Sequence, residues 1–193
     1  MSIIIIDYDA GTVKSLQFAL NKLGVNSILS NDPERISSAD KVIFPGQGQA
    51  SSAMVKLKNK GLDKVIPNLK QPLLGICLGM QLLCLKTKEG NTEGLGIIKI
   101  NVEKFPDSVK VPQMGWNTVS HSSRNLFKGI KQDTYMYLVH SYYVPLIHET
   151  SAQSFYSLNY SVAIEKNNFY GVQFHPEKSS SDGLLLLENF LKI

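Results

Sequence analysis

The sequence is poor in cysteine and in charge, and it has no long hydrophobic run. Its 193 residues include two cysteines, Cys77 and Cys84, too few for a disulfide framework and without a histidine at metal-ligand spacing. No apolar stretch approaches the ~20 residues of a membrane span, and the apolar N-terminus lacks the basic segment of a secretion signal. Charged residues make up 19%, the net charge is +4, and no basic run is interleaved with aromatics. We therefore expect a cytoplasmic protein with reduced thiols, no metal, no cofactor, and no nucleic-acid or membrane partner.

Short apolar runs alternate with helical patterns through the first half of the chain. This rhythm predicts an α/β fold with a mostly parallel central sheet and helices on both faces. The length and the 43% hydrophobic content suit one domain over residues 1–193. The predicted strands are Ile3–Ile6, Val25–Leu29, Lys41–Phe44 and Pro72–Ile76. The predicted helices are Val13–Leu23, Ser52–Asn59, Leu62–Leu69 and one from Leu78 to about Lys86.

The second half is richer in alternating, aromatic and β-branched residues, with Asn and Gly turns. This pattern predicts an added antiparallel portion and a late return to the main sheet. The predicted strands are Ile97–Phe105, Tyr135–Val144, Ser154–Leu158, Ser161–Glu165 and Phe169–Phe174. A closing amphipathic helix is predicted over Asp182–Lys192, with Ser181 or Asp182 as its cap.

The most informative segment is Gly75-Ile76-Cys77-Leu78-Gly79. An apolar strand enters Gly-x-Cys-x-Gly and a helix leaves it, which is typical of a nucleophile elbow. Gly75 and Gly79 remove Cβ atoms that would collide at so sharp a turn, and the helix N-terminus favours a thiolate. The alternative is that Cys77 is a buried apolar residue, as most free cysteines are. For Cys84, which lies among leucines, we expect that inert core role.

A thiol nucleophile needs a base, and the base needs a group that orients it. His175 follows an apolar strand and precedes Pro176-Glu177, so Glu177 is placed to hold the imidazole. An isolated His-x-Glu pair has little specificity, but together with the elbow it favours a Cys-His-Glu triad. His121 and His148 stand in polar surroundings, where we expect surface residues.

The elbow and His175-Pro176-Glu177 resemble the class I, or triad, glutamine amidotransferases, which implies a flavodoxin-like fold. Within that family the chain looks like the glutaminase subunits of imidazole glycerol phosphate synthases. Five segments carry this second resemblance: Ile5–Tyr8, Ala10–Gly11, Phe44–Gly48, Val111–Asn117 and Val139–Tyr143. The resemblance implies that glutamine and water give glutamate and ammonia. It also implies that the ammonia passes to a (β/α)₈-barrel cyclase subunit in histidine biosynthesis.

By the same resemblance, Cys77 attacks the glutamine amide, His175 acts as base and then acid, and Glu177 orients His175. The implied oxyanion hole uses backbone N–H groups of Leu78 and of Gly46, Gln47 or Gly48. The implied contacts to the amino-acid head of the substrate are Gln81, Ser141 and Tyr142. The implied partner interface comprises Met114, Trp116, Asn117, Tyr137 and Lys178. The chain departs from the family pattern at Asp9, Thr12, Gln47 and Gln113.

Three alternatives stay open at this point. In the first alternative, the chain is a paralogous amidotransferase subunit that feeds a different barrel partner, for example one that amidates a sugar. In the second, it is a docking module that keeps the fold without catalysis. In the third, it is a free-standing cysteine hydrolase. The intact set of Cys77, Gln81, His175 and Glu177 argues against a docking module.

Overall fold

The computed structural model describes residues 1–9 and 13–193, so the motif residues Ala10, Gly11 and Thr12 lie outside it. The strands, in chain order, are β1 (Ile3–Ile6), β2 (Ser27–Ser30), β3 (Lys41–Phe44), β4 (Leu73–Ile76), β5 (Cys84–Thr87), β6 (Thr92–Glu93), β7 (Ile98–Lys104), β8 (Gln113–His121), β9 (Thr134–His140), β10 (Tyr142–Tyr143), β11 (Thr150–Tyr156), β12 (Leu158–Lys166) and β13 (Phe169–Val172). The α-helices are α1 (Lys14–Lys22), α2 (Pro33–Ser38), α3 (Ala50–Asn59), α4 (Leu62–Val65), α5 (Leu78–Leu82) and α6 (Ser180–Lys192).

Nine of the described strands form one mixed sheet in the order β2-β1-β3-β4-β13-β12-β11-β8-β9. From β2 to β13 neighbouring strands run parallel, and from β13 to β9 they run antiparallel. A smaller sheet has the order β10-β7-β5-β6. The predicted α/β class, with a parallel centre, an antiparallel addition and a late return through β13, is confirmed.

The core lies on both faces of the large sheet. Ile3 and Ile5 of β1 point to one face, where α1 and α6 cover them. Ile4 and Ile6 point to the other face, against α2, α3 and α5. A central parallel strand is buried on both faces, which explains a run of isoleucines without polar alternation. None of the helices in the described ranges combines the length and the hydrophobicity needed to cross a membrane.

The predicted helix from Leu78 to about Lys86 is wrong in its second half. Helix α5 ends at Leu82, and Cys84 begins strand β5, where it pairs with Ile98 of β7. The run Leu82–Leu85 is apolar without a clear period, so the distant pairing decided its conformation. The inert core role predicted for Cys84 is confirmed, because the residue is fully buried and burial raises the pKa of its thiol to about 12.

Two smaller predictions are also wrong. His121 is buried rather than at the surface, since its ring stacks on Phe127 at 4.6 Å and its Nδ1 accepts a hydrogen bond from the Ser123 N–H. Helix α6 begins earlier than predicted, with Ser179 rather than Ser181 or Asp182 at the N-cap. The Asp182 carboxylate instead accepts a hydrogen bond from the Thr134 hydroxyl of β9.

Gly79 should be indispensable to this packing, because a Cβ there would overlap the carbonyl oxygen of Phe44 in β3. We expect Gly79→Ala to lower the free energy of unfolding by more than about 2 kcal/mol, measured by urea denaturation. Gly24→Ala is the control, since a Cβ at Gly24 meets no atom within 4 Å and only the backbone at φ +75° is strained. That strain costs roughly 1 kcal/mol. Equal losses in the two variants would contradict the steric argument.

Candidate active site

Cys77 occupies the sharp turn between β4 and α5. Its backbone lies at φ 53° and ψ −112°, in the left-handed region that non-glycine residues rarely adopt. The Cys77 N–H donates to the carbonyl of Val172 in β13 at 2.8 Å, which holds the turn against the neighbouring strand. A Cβ at Gly46 would overlap the backbone N of Gly79. The two glycines therefore bring the segment after β3 directly against the residues that follow Cys77.

His175 lies just beyond β13, the strand that runs parallel to β4. Its backbone N–H donates to the carbonyl of Tyr137 in β9 at 2.9 Å. The Ser179 hydroxyl donates to the His175 carbonyl at 2.7 Å and accepts from the Tyr137 N–H at 3.0 Å. Nδ1 of His175 lies 3.0 Å from Oε1 of Glu177, and both side chains are buried. These bonds fix the ring position and leave Nε2 for another partner.

The electrostatics of His175 follow from its two neighbours. Burial alone lowers the pKa of the imidazole, but the neighbouring Cys77 sulfur and the Glu177 carboxylate raise the pKa to about 9. The ring therefore carries its proton at neutral pH when the thiol is ionised. A buried imidazolium between a carboxylate and a sulfur can both stabilise a thiolate and deliver a proton to a leaving group.

A cavity of about 310 Å³ opens above Cys77 and contains most of the predicted site residues. Its lining includes Gly46, Gln47, Gly48, Cys77, Leu78, Gln81, Ser141, Tyr142, His175 and Lys178. Glu177 lies behind His175, where it lines a smaller cavity together with Pro45 and Gly46. The structure thus brings residues from β3, β4, α5, β9, β10 and β13 to one end of the sheet, outside the carboxyl ends of the parallel strands.

The predicted interface residues form a second surface, beside the cavity. A groove of about 570 Å³ is lined by Met114, Trp116 and Asn117 together with Phe155. Met114, Trp116 and Phe155 are 66%, 52% and 62% exposed, an unusual amount of apolar surface for one face. Tyr137 packs edge-on against Trp116 with ring centroids 6.1 Å apart, and the Lys178 ammonium lies 6.0 Å from the centre of the Tyr137 ring. We call Met114, Trp116, Tyr137 and Phe155 the aromatic face.

Residues 4–193 match the family model of class I glutamine amidotransferases. The imidazole glycerol phosphate synthase subunit HisH of Bacteroides fragilis is 47% identical over 196 residues, with 100% of both chains covered. The HisH subunit of Haemophilus influenzae is 46% identical and covers 100% of this chain and 98% of its own. This chain belongs to the HisH branch of the class I glutamine amidotransferases. The crystal structure of a putative GMP synthase protein from Thermoplasma acidophilum shares the fold, with a TM-score of 0.77, 23% identity and coverage of 100% of this chain and 93% of that one.

Sequence reasoning missed Glu89 of this HisH-type chain. Its carboxylate accepts a hydrogen bond from the Ala50 N–H at 2.9 Å, and the residue lines the same cavity as Cys77 and His175. Burial raises the pKa of this carboxyl, and the Ala50 N–H partly offsets that effect. Glu89 lies in a turn between β5 and β6, and its neighbours Lys88 and Gly90 form no motif. The contact with the first residue of α3, which is distant in sequence, holds the turn beside the cavity.

His140 also lines the cavity, but it differs from His175. Burial, together with the nearby charge of His175, lowers the pKa of His140 to about 4, although a hydrogen bond to the Tyr142 carbonyl opposes the change. Its Nδ1 lies 2.7 Å from that carbonyl oxygen, which accepts the ring N–H. His140 is therefore neutral at pH 7 and serves to hold the Tyr142 backbone. Throughout residues 1–9 and 13–193, no cluster of three or more His, Cys, Asp or Glu side chains is arranged to hold a metal ion.

Replacing Glu177 should lower the pKa of His175. Glu177→Gln keeps the shape of the side chain and removes the charge that helps to raise the pKa to about 9. The wild-type ring loses its proton only as the pH rises through about 9, and the variant ring should lose it at a lower pH. Titration of ¹⁵N-labelled histidines by NMR measures this, with His175→Asn for assignment. Glu188→Gln removes the exposed partner of Lys192 and is the charge-matched control. An unshifted His175 titration in Glu177→Gln would contradict the coupling.

Proposed function

We propose that this chain, as one domain over residues 1–193, is the glutaminase subunit of an imidazole glycerol phosphate synthase. In this proposal Cys77, His175 and Glu177 hydrolyse glutamine to glutamate and ammonia. The supporting observation is the arrangement of the three side chains, a sulfur on a strained turn beside an imidazole that a buried carboxylate holds at 3.0 Å. Family membership supports the reaction class, and the geometry supports the role that we propose for each residue.

The first half of the reaction forms a thioester. His175 takes the thiol proton, and the Cys77 sulfur attacks the δ-carbonyl carbon of glutamine to give a tetrahedral oxyanion. When this collapses, His175 gives the proton to the amide nitrogen, the C–N bond breaks, and ammonia leaves. The high pKa of His175 suits this role, because the ring stays protonated until the leaving group needs the proton.

The second half consumes one water. His175 takes a proton from water, and the hydroxide attacks the thioester carbonyl. Collapse of the second tetrahedral oxyanion breaks the C–S bond, releases glutamate and returns the proton to the sulfur. Both oxyanions need N–H donors, for which we propose the Leu78 backbone and a peptide N–H from the adjacent Gly46, Gln47 or Gly48, all of which line the cavity.

Selectivity for glutamine requires contacts to the charged amino-acid head. We propose that Gln81, Glu89 and the backbone of Ser141 and Tyr142 supply them, since all four line the cavity around Cys77. The half-buried Glu89 carboxylate suits the substrate ammonium group, because hydrogen bonds between opposite charges are the stronger ones. Among the described residues that line this cavity, Glu89 is the one with an acidic side chain.

The ammonia has to reach a partner without escaping to water. We propose a (β/α)₈-barrel cyclase subunit that docks on the aromatic face, with Asn117 and Lys178 at its border. There ammonia reacts with a phosphoribulosyl-formimino aminoimidazole carboxamide ribonucleotide to give imidazole glycerol phosphate and an aminoimidazole carboxamide ribotide. The exposed Met114, Trp116 and Phe155 support docking, since aromatic residues and methionine are enriched in the buried centres of interfaces. We place the reaction in the cytoplasm, where thiols such as Cys77 stay reduced.

Free glutaminase activity would waste glutamine, and the segment Gly46–Gly48 offers a way to limit it. The buried Tyr8 hydroxyl donates to the Pro45 carbonyl at 2.7 Å and anchors the strand just before this segment. Gly48 lies at φ +87°, where glycine is free of strain. We propose that the peptide bonds between Gly46 and Gly48 turn an N–H toward the cavity when the cyclase has bound its nucleotide.

Cys77→Ala should abolish glutamine-dependent synthesis by the complex and leave ammonium-dependent synthesis intact. The variant lacks the nucleophile, but the cyclase needs only ammonia. Cys84→Ala is the matched control, since that thiol is buried away from the cavity. Product formation is followed with either nitrogen source. Loss of the ammonium-dependent rate in Cys77→Ala would contradict the division of labour.

Glutamate release should rise in two steps, from the chain alone to the complex, and from the complex to the complex with nucleotide. Reorientation of Gly46–Gly48 predicts at least a tenfold difference between the first and last conditions, about 1.4 kcal/mol. Trp116→Ala should lower affinity for the cyclase and with it the activation, and Trp116→Phe should restore part of both. Equal rates in all three conditions would overturn the proposed regulation.

A further inference from the structure

Gln173 is a fully buried polar residue at the centre of the site, and it is not a member of the triad. Val172 pairs with Ile76 in the parallel strands β13 and β4, so the next residues, Gln173 and Cys77, lie side by side. Nε2 of Gln173 lies 3.7 Å from the Cys77 sulfur. Its Oε1 lies 2.8 Å from Nε2 of Gln81, which also donates to the Tyr142 carbonyl at 3.0 Å.

The direction of this chain of hydrogen bonds is fixed at one end. The Tyr142 carbonyl can only accept, so Gln81 must present its NH₂ group to it. The second hydrogen of that NH₂ then goes to the oxygen of Gln173. The amide of Gln173 must therefore turn its own NH₂ group toward the sulfur. Reversing either amide would place two donors or two acceptors together.

We propose that Gln173 is a positioning residue of the glutaminase reaction, which holds the Cys77 sulfur as a hydrogen-bond acceptor and links it to Gln81. A donor fixed on a sulfur stabilises the thiolate more than the thiol, since hydrogen bonds to charged acceptors are the stronger ones. The link rests on the proposed function, because there Gln81 contacts the substrate head. Glutamine that engages Gln81 then acts on the same chain of bonds that ends at the nucleophile.

Other titratable groups face Cys77 from the surrounding elements and have to be held constant in a test. They are His175 with Glu177 behind it, His140 at the end of β9, Tyr8 after β1, and Glu89 and Lys178 in the cavity lining. Tyr8 stays neutral, because burial and the charge of Cys77 raise the pKa of its hydroxyl. A substitution at Gln173 leaves all of these side chains in place.

The test is the pH dependence of alkylation of the isolated chain by iodoacetamide. Cys77→Ala serves as the blank, because the buried Cys84 thiol should not react. Gln173→Met keeps the length of the side chain and loses the donor. We expect the pH midpoint of alkylation to rise by about one unit in this variant. Below the midpoint, alkylation should therefore be about tenfold slower than in the wild type. Gln173→Glu keeps an oxygen for Gln81 but sets a carboxylate beside the sulfur, so its midpoint should rise further.

Gln113→Met is the matched control, since Gln113 is also buried but accepts its hydrogen bond from Tyr160 at 3.0 Å. It should leave the midpoint unchanged. Alkylation is compared only among variants whose circular dichroism spectrum matches that of the wild type. If Gln173→Met fails to fold, the comparison uses Gln173→Glu, whose side chain has nearly the same shape as that of Gln173. An unshifted midpoint in a folded Gln173 variant overturns the inference. Iodoacetamide needs no glutamine, so failure of the proposed function would show separately, as a reactive Cys77 without glutamine hydrolysis.

Discussion

The contact between the backbone of the elbow and strand β3 is the constraint on which the site depends. Cys77 holds a left-handed backbone conformation that costs of order 1–3 kcal/mol, and the surrounding packing has to stabilise it. That packing exists because Gly79 and Gly46 leave no Cβ between Leu78, Phe44 and the backbone. The same approach brings Gly46–Gly48 within reach of the nucleophile. One steric arrangement therefore sets both the position of the Cys77 sulfur and the position of the Gly46–Gly48 segment beside it.

Two buried histidines in one cavity differ in charge because only His175 has neighbours that outweigh the effect of burial. Both rings are buried, and desolvation lowers the pKa of each. His175 has a carboxylate and a sulfur beside it, and its pKa rises to about 9. Burial and, less strongly, the positive His175 lower the pKa of His140 to about 4, because the hydrogen bond to the Tyr142 carbonyl is too weak to offset them. These partners explain why His175 suits proton transfer, whereas His140 serves as a fixed hydrogen-bond donor.

The prediction failed where an apolar run fits more than one structure. The residues after Leu82 continue a plausible helix, yet pairing of Cys84 with Ile98 makes them a strand. Strand β8 was not predicted, although its Met-Gly-Trp-Asn segment was recognised, because Gly115 and the polar residues interrupt the alternation. His121 looked exposed beside its serines, and only the stacked Phe127 ring explains its burial. The pairing of Cys84 and the stacking of His121 are packing contacts, which local conformational preference does not specify.

The sequence by itself determined the local chemistry, namely the Gly-x-Cys-x-Gly elbow, the His-Pro-Glu segment and the alternation of strands and helices. These are short patterns whose steric and hydrogen-bond requirements lie within a few residues. Only the tertiary structure decided that Glu89 reaches the cavity, that Gln173 lies between Gln81 and Cys77, and that the aromatic face borders the site. Those relations come from the order and register of strands distant in sequence, and register is set by the packing of the whole sheet.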